Sequence, residues 1–274
     1  MPPIAKAFGP AAAPAADPLV QVKEYDFTDS TAIDISTAGT YSVLKSDGAT
    51  ALATIVTTAD ASGGIIQGTK NIDVNSGGIV VDVTSGSGGE NAVLAIALPT
   101  DMKDSFDADM LMFEWLISGL TITGTDNSIV KFKVSTQADM RGTPANGLIV
   151  IKSSAASSYD LKGEVQYNSG TTRTSADQTV FTGGNLHIQM LMRRHSGVLY
   201  IDTGSAFADP YTITTSFGLG GRSYGANRPL GSGGSAPQWS TPYMSLMFDL
   251  NTTSDRIQCT IEKFRICKFS PSVN

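Results

Sequence analysis

From Tyr25 onward the chain alternates short apolar runs with clusters of Gly, Ser, Asp and Asn at intervals of about ten residues, the rhythm of strands joined by turns. The pattern predicts strands at Tyr41–Lys45, Leu52–Thr57, Gly64–Gln67, Ile72–Val74, Ile79–Thr84 and Ala92–Leu98. Further along, Leu111, Phe113, Trp115 and Ile117 occupy alternate positions, and Val130, Phe132 and Val134 alternate with Lys131 and Lys133 across Ile129–Ser135. Such parity gives each strand one buried and one wet face. Leu148–Ile151 is a short continuous apolar run. Leu186, Ile188, Met190 and Met192 alternate with His187, Gln189, Leu191 and Arg193, and a turn at Arg194–Gly197 leads into Val198–Asp202, which predicts a hairpin. Tyr211–Phe217 and Tyr243–Leu250 complete the series, and the one helix candidate is a single turn at Asp101–Asp104. No internal repeat is visible, which removes solenoids and propellers. Parity places Leu111, Phe113, Trp115, Val130, Phe132, Met190, Leu246 and Phe248 in the core.

Composition agrees with this reading. Gly (28), Ser (29) and Thr (29) make up close to a third of the 274 residues, and 20 of the 25 acidic residues are Asp, a balance that favours turns over helix surfaces. The formal net charge of −6 offers no basic footprint for phosphates, so nucleic acid is not an expected partner. No run of the length a leader or a membrane span needs is found, so no membrane partner is expected. Cys259 and Cys267 fall eight residues apart in one predicted strand, too distant to bridge, and read as reduced thilos of a protein assembled in a reducing cytosol.

Residues 1–18, MPPIAKAFGPAAAPAADP, hold five prolines and seven alanines and read as an extended arm ahead of a domain spanning 19–274. Ile4 and Phe8 are the apolar anchors within it. Residues 218–237 form a second unusual stretch, with seven glycines, Arg222, Tyr224 and Arg228, ending near Trp239. Loops of that length in compact domains bind something or are disordered, and Arg, Tyr and Trp dominate interfaces, so this segment reads as a subunit contact ahead of a glycan site.

Two segments resemble the concanavalin A-like (laminin-G-like) jelly-roll family. Residues 185–202, NLHIQMLMRRHSGVLYID, resemble that family's hairpin, and Ile261-Glu-Lys-Phe-Arg-Ile-Cys267 is similar to its closing strand. In the latter, Ile261 and Phe264 lie three apart, so they share a face only through a bulge. Tyr25-Asp-Phe-Thr-Asp29 resembles the family's first strand. The resemblance covers Tyr25 to Phe269 and implies two antiparallel sheets face to face; the family's members include lectins, glucanases and phage virion appendage or decoration proteins, among which fold alone does not choose.

Candidate chemistry is sparse. The glucanase branch uses Glu-x-Asp-x-Glu on one strand, because acid and nucleophile must share a face. Here Glu24-Tyr-Asp26 is followed by Thr28, and Glu114 stands alone among apolar neighbours. Gly221-Arg-Ser-Tyr-Gly225 matches a serine-hydrolase elbow, yet the sequence after it cannot continue as a helix, and His187 and His195 both precede Ser223. Asp101, Asp104, Asp107 and Asp109 lack calcium-loop spacing and read as a solvated turn. His195 reads as a polar hairpin tip, and the methionines as core filler.

The expectation is therefore an all-β, two-sheet antiparallel jelly-roll sandwich with an extended N-terminal Pro/Ala arm. It would be a non-enzymatic virion structural protein of a tailed phage, decorating a capsid or forming part of a tail or fibre appendage, and assembled in the host cytoplasm. Its expected partners are other virion proteins, capsid or tail subunits, and further copies of itself. The competing reading is a carbohydrate-binding lectin domain used in host attachment, with a surface glycan as partner. No cofactor, metal or catalytic residue is expected; the contact residues are Ile4, Phe8, Arg222, Tyr224, Arg228 and Trp239.

Overall fold

The computed structural model describes residues 19–59, 68, 70–97, 110–124, 128–135, 147–155, 158–167, 171–174, 178–181, 184–193, 196–202 and 243–269. Among them the strands run, in chain order, β1 (Leu19–Asp26), β2 (Ile33–Asp34), β3 (Gly39–Leu44), β4 (Ala51–Ala59), β5 (Lys70–Asn75), β6 (Gly78–Thr84), β7 (Glu90–Ala97), β8 (Met110–Thr123) and β9 (Ile129–Ser135). They continue with β10 (Gly147–Ala155), β11 (Ser158–Tyr167), β12 (Thr171–Thr174), β13 (Gln178–Phe181), β14 (Gly184–Arg193), β15 (Ser196–Asp202), β16 (Tyr243–Leu250) and β17 (Arg256–Phe269). One sheet has eight strands in the order β15-β14-β8-β17-β6-β5-β2, with β1 also paired to β17; the other has nine, β12-β11-β10-β9-β16-β7-β4-β3, with β13 paired to β11. The architecture is the antiparallel two-sheet jelly-roll sandwich that the resemblance to concanavalin A-like domains implies, the strand pattern by itself pointing to a sandwich or a barrel.

Phe113, Trp115, Val130, Phe132, Leu246 and Phe248 are all buried, as parity requires; the side chains of Leu111 and Met190 lie outside the described residues. Trp115 of β8 packs edge-on against Phe132 of the opposite sheet (centroids 5.7 Å apart) and against Phe264 of β17 (6.2 Å), while Phe264 meets Phe27 at 5.7 Å. These contacts join the two sheets at their middle, where each fully buried aromatic contributes about 1.5–3 kcal/mol from area alone.

Two irregularities set which side chains face inward. On β17, pairing with β8 shifts between Ile261 and Lys263, so one extra residue, Glu262, lets Ile261, Phe264 and Ile266 all reach the core. This is the bulge that the spacing of three requires. On β8 the pairing shifts again near Gly119, whose φ of +61° favours glycine, so the buried series Phe113, Trp115, Ile117 continues as Leu120 and Ile122.

Several boundaries differ from the sequence reading. The opening strand covers Leu19–Asp26, and Phe27–Asp29 is a 3-10 turn, because the Asp26 carboxylate accepts the Thr28 N–H at 3.0 Å and turns the chain. Strands β11, β12 and β13 are additions to the sequence reading: β12 (TTRT) and β13 (QTVF) are too short to show a period, while β11 alternates Tyr159, Leu161, Val165 and Tyr167 with polar residues. The strands expected at Gly64–Gln67 and Tyr211–Phe217, the turn at Asp101–Asp104, and Arg194 and His195 lie outside the described residues.

Replacing Phe264 by Ala, which empties the junction of Phe27, Trp115 and β17, is expected to cost about 3–5 kcal/mol. A urea midpoint lowered accordingly, with an unchanged slope, is the measurement that checks it.

Candidate functional site

Between core-facing Phe113 and Trp115, Glu114 points to the opposite face of the eight-stranded sheet, and it is 0% exposed there. Its lateral neighbours explain how a charge is tolerated at such a place. Arg265 lies directly across on β17, and His187 reaches it diagonally from β14. His187 Nε2 and Glu114 Oε1 are 2.8 Å apart, and Arg265 Nε donates to Oε2. Cys267 Sγ donates to the same Oε2 at 3.7 Å. His187 is 1% and Arg265 7% exposed, so the group is a buried charged clasp over three adjacent strands. Glu114 is therefore not isolated, and His187 does not lie on a wet face: partners from neighbouring strands supply what one strand's pattern cannot show.

The chemistry of this clasp is structural. Burial and the adjacent Glu114 carboxylate push the Cys267 thiol up to about 12, against the opposing pull of Arg265, and burial alone raises Cys259 to about 12. Both thiols stay protonated near neutral pH and are poor nucleophiles. The two cysteines are free, as their spacing within β17 predicts. Glu114 is engaged by a guanidinium and an imidazole, which occupies the carboxylate as an acceptor.

Two more buried carboxylates hold one end of the sandwich. Glu90 accepts the N–H groups of Gly86 and Ser87, each at 2.9 Å, and the Ser87 hydroxyl at 2.7 Å, closing the turn between β6 and β7. Asp255 accepts from the Thr252 N–H (2.8 Å), the Thr252 hydroxyl (2.7 Å) and the Ser128 hydroxyl (2.7 Å), tying the β16–β17 turn to the start of β9. A Cβ at Gly124 would stand 2.0 Å from Asp255 Oδ1, so that position admits only glycine.

The outward face of the nine-stranded sheet offers a different surface. Asn91, Val93 and Ala95 of β7 and Ser245 and Met247 of β16 form a buried floor. Lys131 and Asp249, 3.3 Å apart, border it, with half-buried Tyr243 at the far end of β16. Among the described residues Ser245 Oγ is buried without a hydrogen-bond partner.

The contact residues expected from sequence, Ile4, Phe8, Arg222, Tyr224, Arg228 and Trp239, lie outside the described residues, as do Asp101, Asp104, Asp107, Asp109 and Ser223. The clasp was missed, although a signal existed: Glu114, His187 and Arg265 each stand between two apolar residues in a strand.

No protein-family model matches the chain. No curated protein matches it either. Among solved structures it is similar to the CBM2 module of the evolved Dit of Lactobacillus casei BL23 phage J-1, at 12% identity over 92% of this chain and 96% of that one, with a TM-score of 0.49. It is similar to SCLam, a non-specific endo-β-1,3(4)-glucanase from family GH16, at 12% identity over 94% of each chain and a TM-score of 0.49. A pseudo β-1,3-glucanase of Mycobacterium tuberculosis aligns at 10% identity over 92% of this chain and 99% of that one, with a TM-score of 0.44. These are likenesses of fold alone. The two antiparallel sheets and the bulged closing strand fit the concanavalin A-like jelly roll that the sequence resembles.

Two outcomes are expected of the clasp. Glu114→Ala leaves Arg265 buried without its carboxylate and should cost about 3–5 kcal/mol in a denaturation series. In a thiol-labelling assay at pH 8, the folded protein should react negligibly, and both cysteines should titrate once it is unfolded.

Proposed function

We infer that the chain is a non-enzymatic subunit of a tailed-phage particle, a capsid decoration or a tail or fibre appendage, that works through contacts with capsid or tail subunits and with its own copies. The observation that carries this reading is the root of the arm. Residues 1–18 lead directly into β1, which pairs only with β17 among the described residues. Val22, Lys23 and Glu24 of that strand are exposed, Val22 at 42%. A donor-poor segment thus precedes a strand whose described ladder is to β17 and which carries exposed side chains, an order suited to reaching a neighbour. The commitment of Glu90, Glu114 and Asp255 to holding strands and turns together supports the non-enzymatic part. The two protonated, buried thiols suit assembly in a host cytoplasm. No helix among the described residues is long and apolar enough to cross a membrane.

A second reading, a glycan-binding domain for host attachment, is favoured by the outward face of the nine-stranded sheet. There the part-exposed Lys131 and Asp249 stand toward one end of the face and Tyr243 at the other, with the unsatisfied Ser245 hydroxyl between them along β16. Both readings hold together if the protein is a receptor-binding appendage.

Ordering a Pro-rich arm costs on the order of 1 kcal/mol per residue with little internal return. Burial of Ile4 and Phe8 on a neighbour would offset part of that at about 1.5–3 kcal/mol each. Deleting residues 1–18 is therefore expected to leave the melting temperature nearly unchanged while lowering occupancy in purified particles. Electron microscopy of virions carrying a tagged chain reads that occupancy and separates head from tail. Absence of the label from particles, or wild-type occupancy without the arm, contradicts the reading.

A further inference from the structure

We propose that β3, the outer strand of the nine-stranded sheet, pairs edge to edge with β3 of a second copy, antiparallel about a two-fold axis at Tyr41, so that the two sheets run on as one. This deepens the reading of the chain as a subunit that contacts its own copies, and rests on it. The direction of the backbone groups locates the free edge. The Leu44 carbonyl faces away from β4 and accepts the Thr31 N–H at 2.9 Å, whereas the Lys45 N–H turns to the β4 side and donates to the Thr50 carbonyl at 2.8 Å. The register shift at this end adds Leu52 to β4 and leaves β3 regular. Alternation therefore aims the N–H and C=O of Thr40 and Ser42 away from β4. Both residues are exposed, and among the described residues these outward backbone groups have no hydrogen-bond partner.

An open edge is a template for another strand, and soluble proteins guard such edges with lysines, prolines or bulges. Residues 36–44, STAGTYSVL, hold no charge and no proline. Self-pairing of that span brings no like charges together, and nothing on it would select a charged peptide, so a second copy is the occupant that fits. Backbone geometry fixes the register. An axis at Ser42 or Val43 needs Leu44, whose carbonyl is taken by Thr31. An axis at Thr40 or Gly39 needs Ala38, which precedes the strand. The axis at Tyr41 sets Thr40 opposite Ser42 of the second copy and Ser42 opposite its Thr40, so every free group is used once, with two backbone hydrogen bonds in each pair. On the inner face the Tyr41 hydroxyl donates to the Thr37 carbonyl at 2.9 Å, and a Cβ at Gly39 would stand 3.3 Å from the Tyr41 ring, so the ring leans back along its own strand. In an antiparallel pair the two rings lean away from the axis and leave it open.

Two short strands make an interface below the standard size of about 1,600 Å², so the pair is reversible. Sedimentation equilibrium of the full chain, carried into the millimolar range, should show the mass rising from 28.7 kDa toward twice that value. Thr40→Lys combined with Ser42→Lys sets like charges opposite each other at both ladder pairs, and that chain should stay single at every concentration with the wild-type circular dichroism. Thr40→Glu combined with Ser42→Glu should do the same, and an equal mixture of the two chains should recover the doubled mass. Register is read independently. Positions 40 and 42 of opposite copies stand about 5.5 Å apart at Cα, within disulfide range, whereas position 40 lies about 8 Å from its own copy. A mixture of Thr40→Cys and Ser42→Cys chains under a mild oxidant should cross-link, and neither chain should do so alone. If the doubly charged chains lose the wild-type spectrum, the cysteine chains decide. A wild-type chain that stays single, a charged chain with wild-type mass, or a cysteine mixture that does not cross-link overturns the proposal. Occupancy in particles is read separately by the tagged chain, so loss of pairing with the label still present sinks this proposal alone. Paired protein missing from particles instead sinks the virion reading.

Discussion

One extra residue in the last strand fixes much of the molecule. β17 pairs with β8 along its length and divides its other edge, giving residues up to Ile261 to β6 and those from Lys263 to β1. The side-chain period of a strand is two, so a β17 without the bulge at Glu262 would turn Phe264 and Ile266 outward and drive Arg265 into the core. With the bulge, Phe264 joins Trp115 and Phe27 inside while Arg265 meets Glu114 outside. The aromatic junction of the sandwich and the charged clasp on its outer face are consequences of the same irregularity, seen from its two sides.

Burial of charge follows a consistent logic here. Removing a lone carboxylate from water is costly, and each of Glu90, Glu114 and Asp255 is repaid with several donors. For Glu90 the Gly86 and Ser87 donors come from within four residues, which closes a local turn. For Asp255 and Glu114 they include groups more than seventy residues away in sequence, so these two carboxylates act as long-range fasteners between elements that the hydrophobic core holds only from one side.

What could be read from the sequence is what depends on one strand at a time. Ile129–Ser135 and Tyr243–Leu250 have in the structure the bounds that alternation predicts, and the spacing of Ile261 and Phe264 announces the bulge. The resemblance to concanavalin A-like jelly rolls rested partly on that same irregularity. Lateral neighbours were not legible: nothing within β8 says that Arg265 and His187 flank Glu114, because pairing joins residues 151 and 73 positions apart. Nor were β12 and β13, each four residues long and too short to set a period, whereas β11 was legible, since Tyr159, Leu161, Val165 and Tyr167 alternate there with Asp160, Lys162, Glu164 and Gln166. At the entry, Tyr25 to Asp29 carries the apolar spacing of a strand, but the Asp26 carboxylate captures the Thr28 amide and ends the ladder sooner.

The first strand is held differently from the rest of the sandwich. Of β1, only Tyr25 among the residues with described side chains is buried; Val22, Lys23 and Glu24 are exposed, and Lys263 contributes ion pairs at 2.6 Å to Asp26 and 3.5 Å to Glu24. Ion pairs this accessible to solvent add little, so the strand is held mainly by its backbone ladder to β17. The core takes Tyr25 from β1, is otherwise built from Phe27 onward, and is anchored by β8, β9, β16 and β17. Local stability is lowest where few apolar side chains are buried, so β1, with Tyr25 its one buried side chain among those described, is a strand that can open at small cost to the core. The groups that fasten the sandwich, from the Trp115–Phe132 contact to the Glu114–Arg265 pair, all lie on other strands, which is why the core and the clasp can stand while the first strand frays.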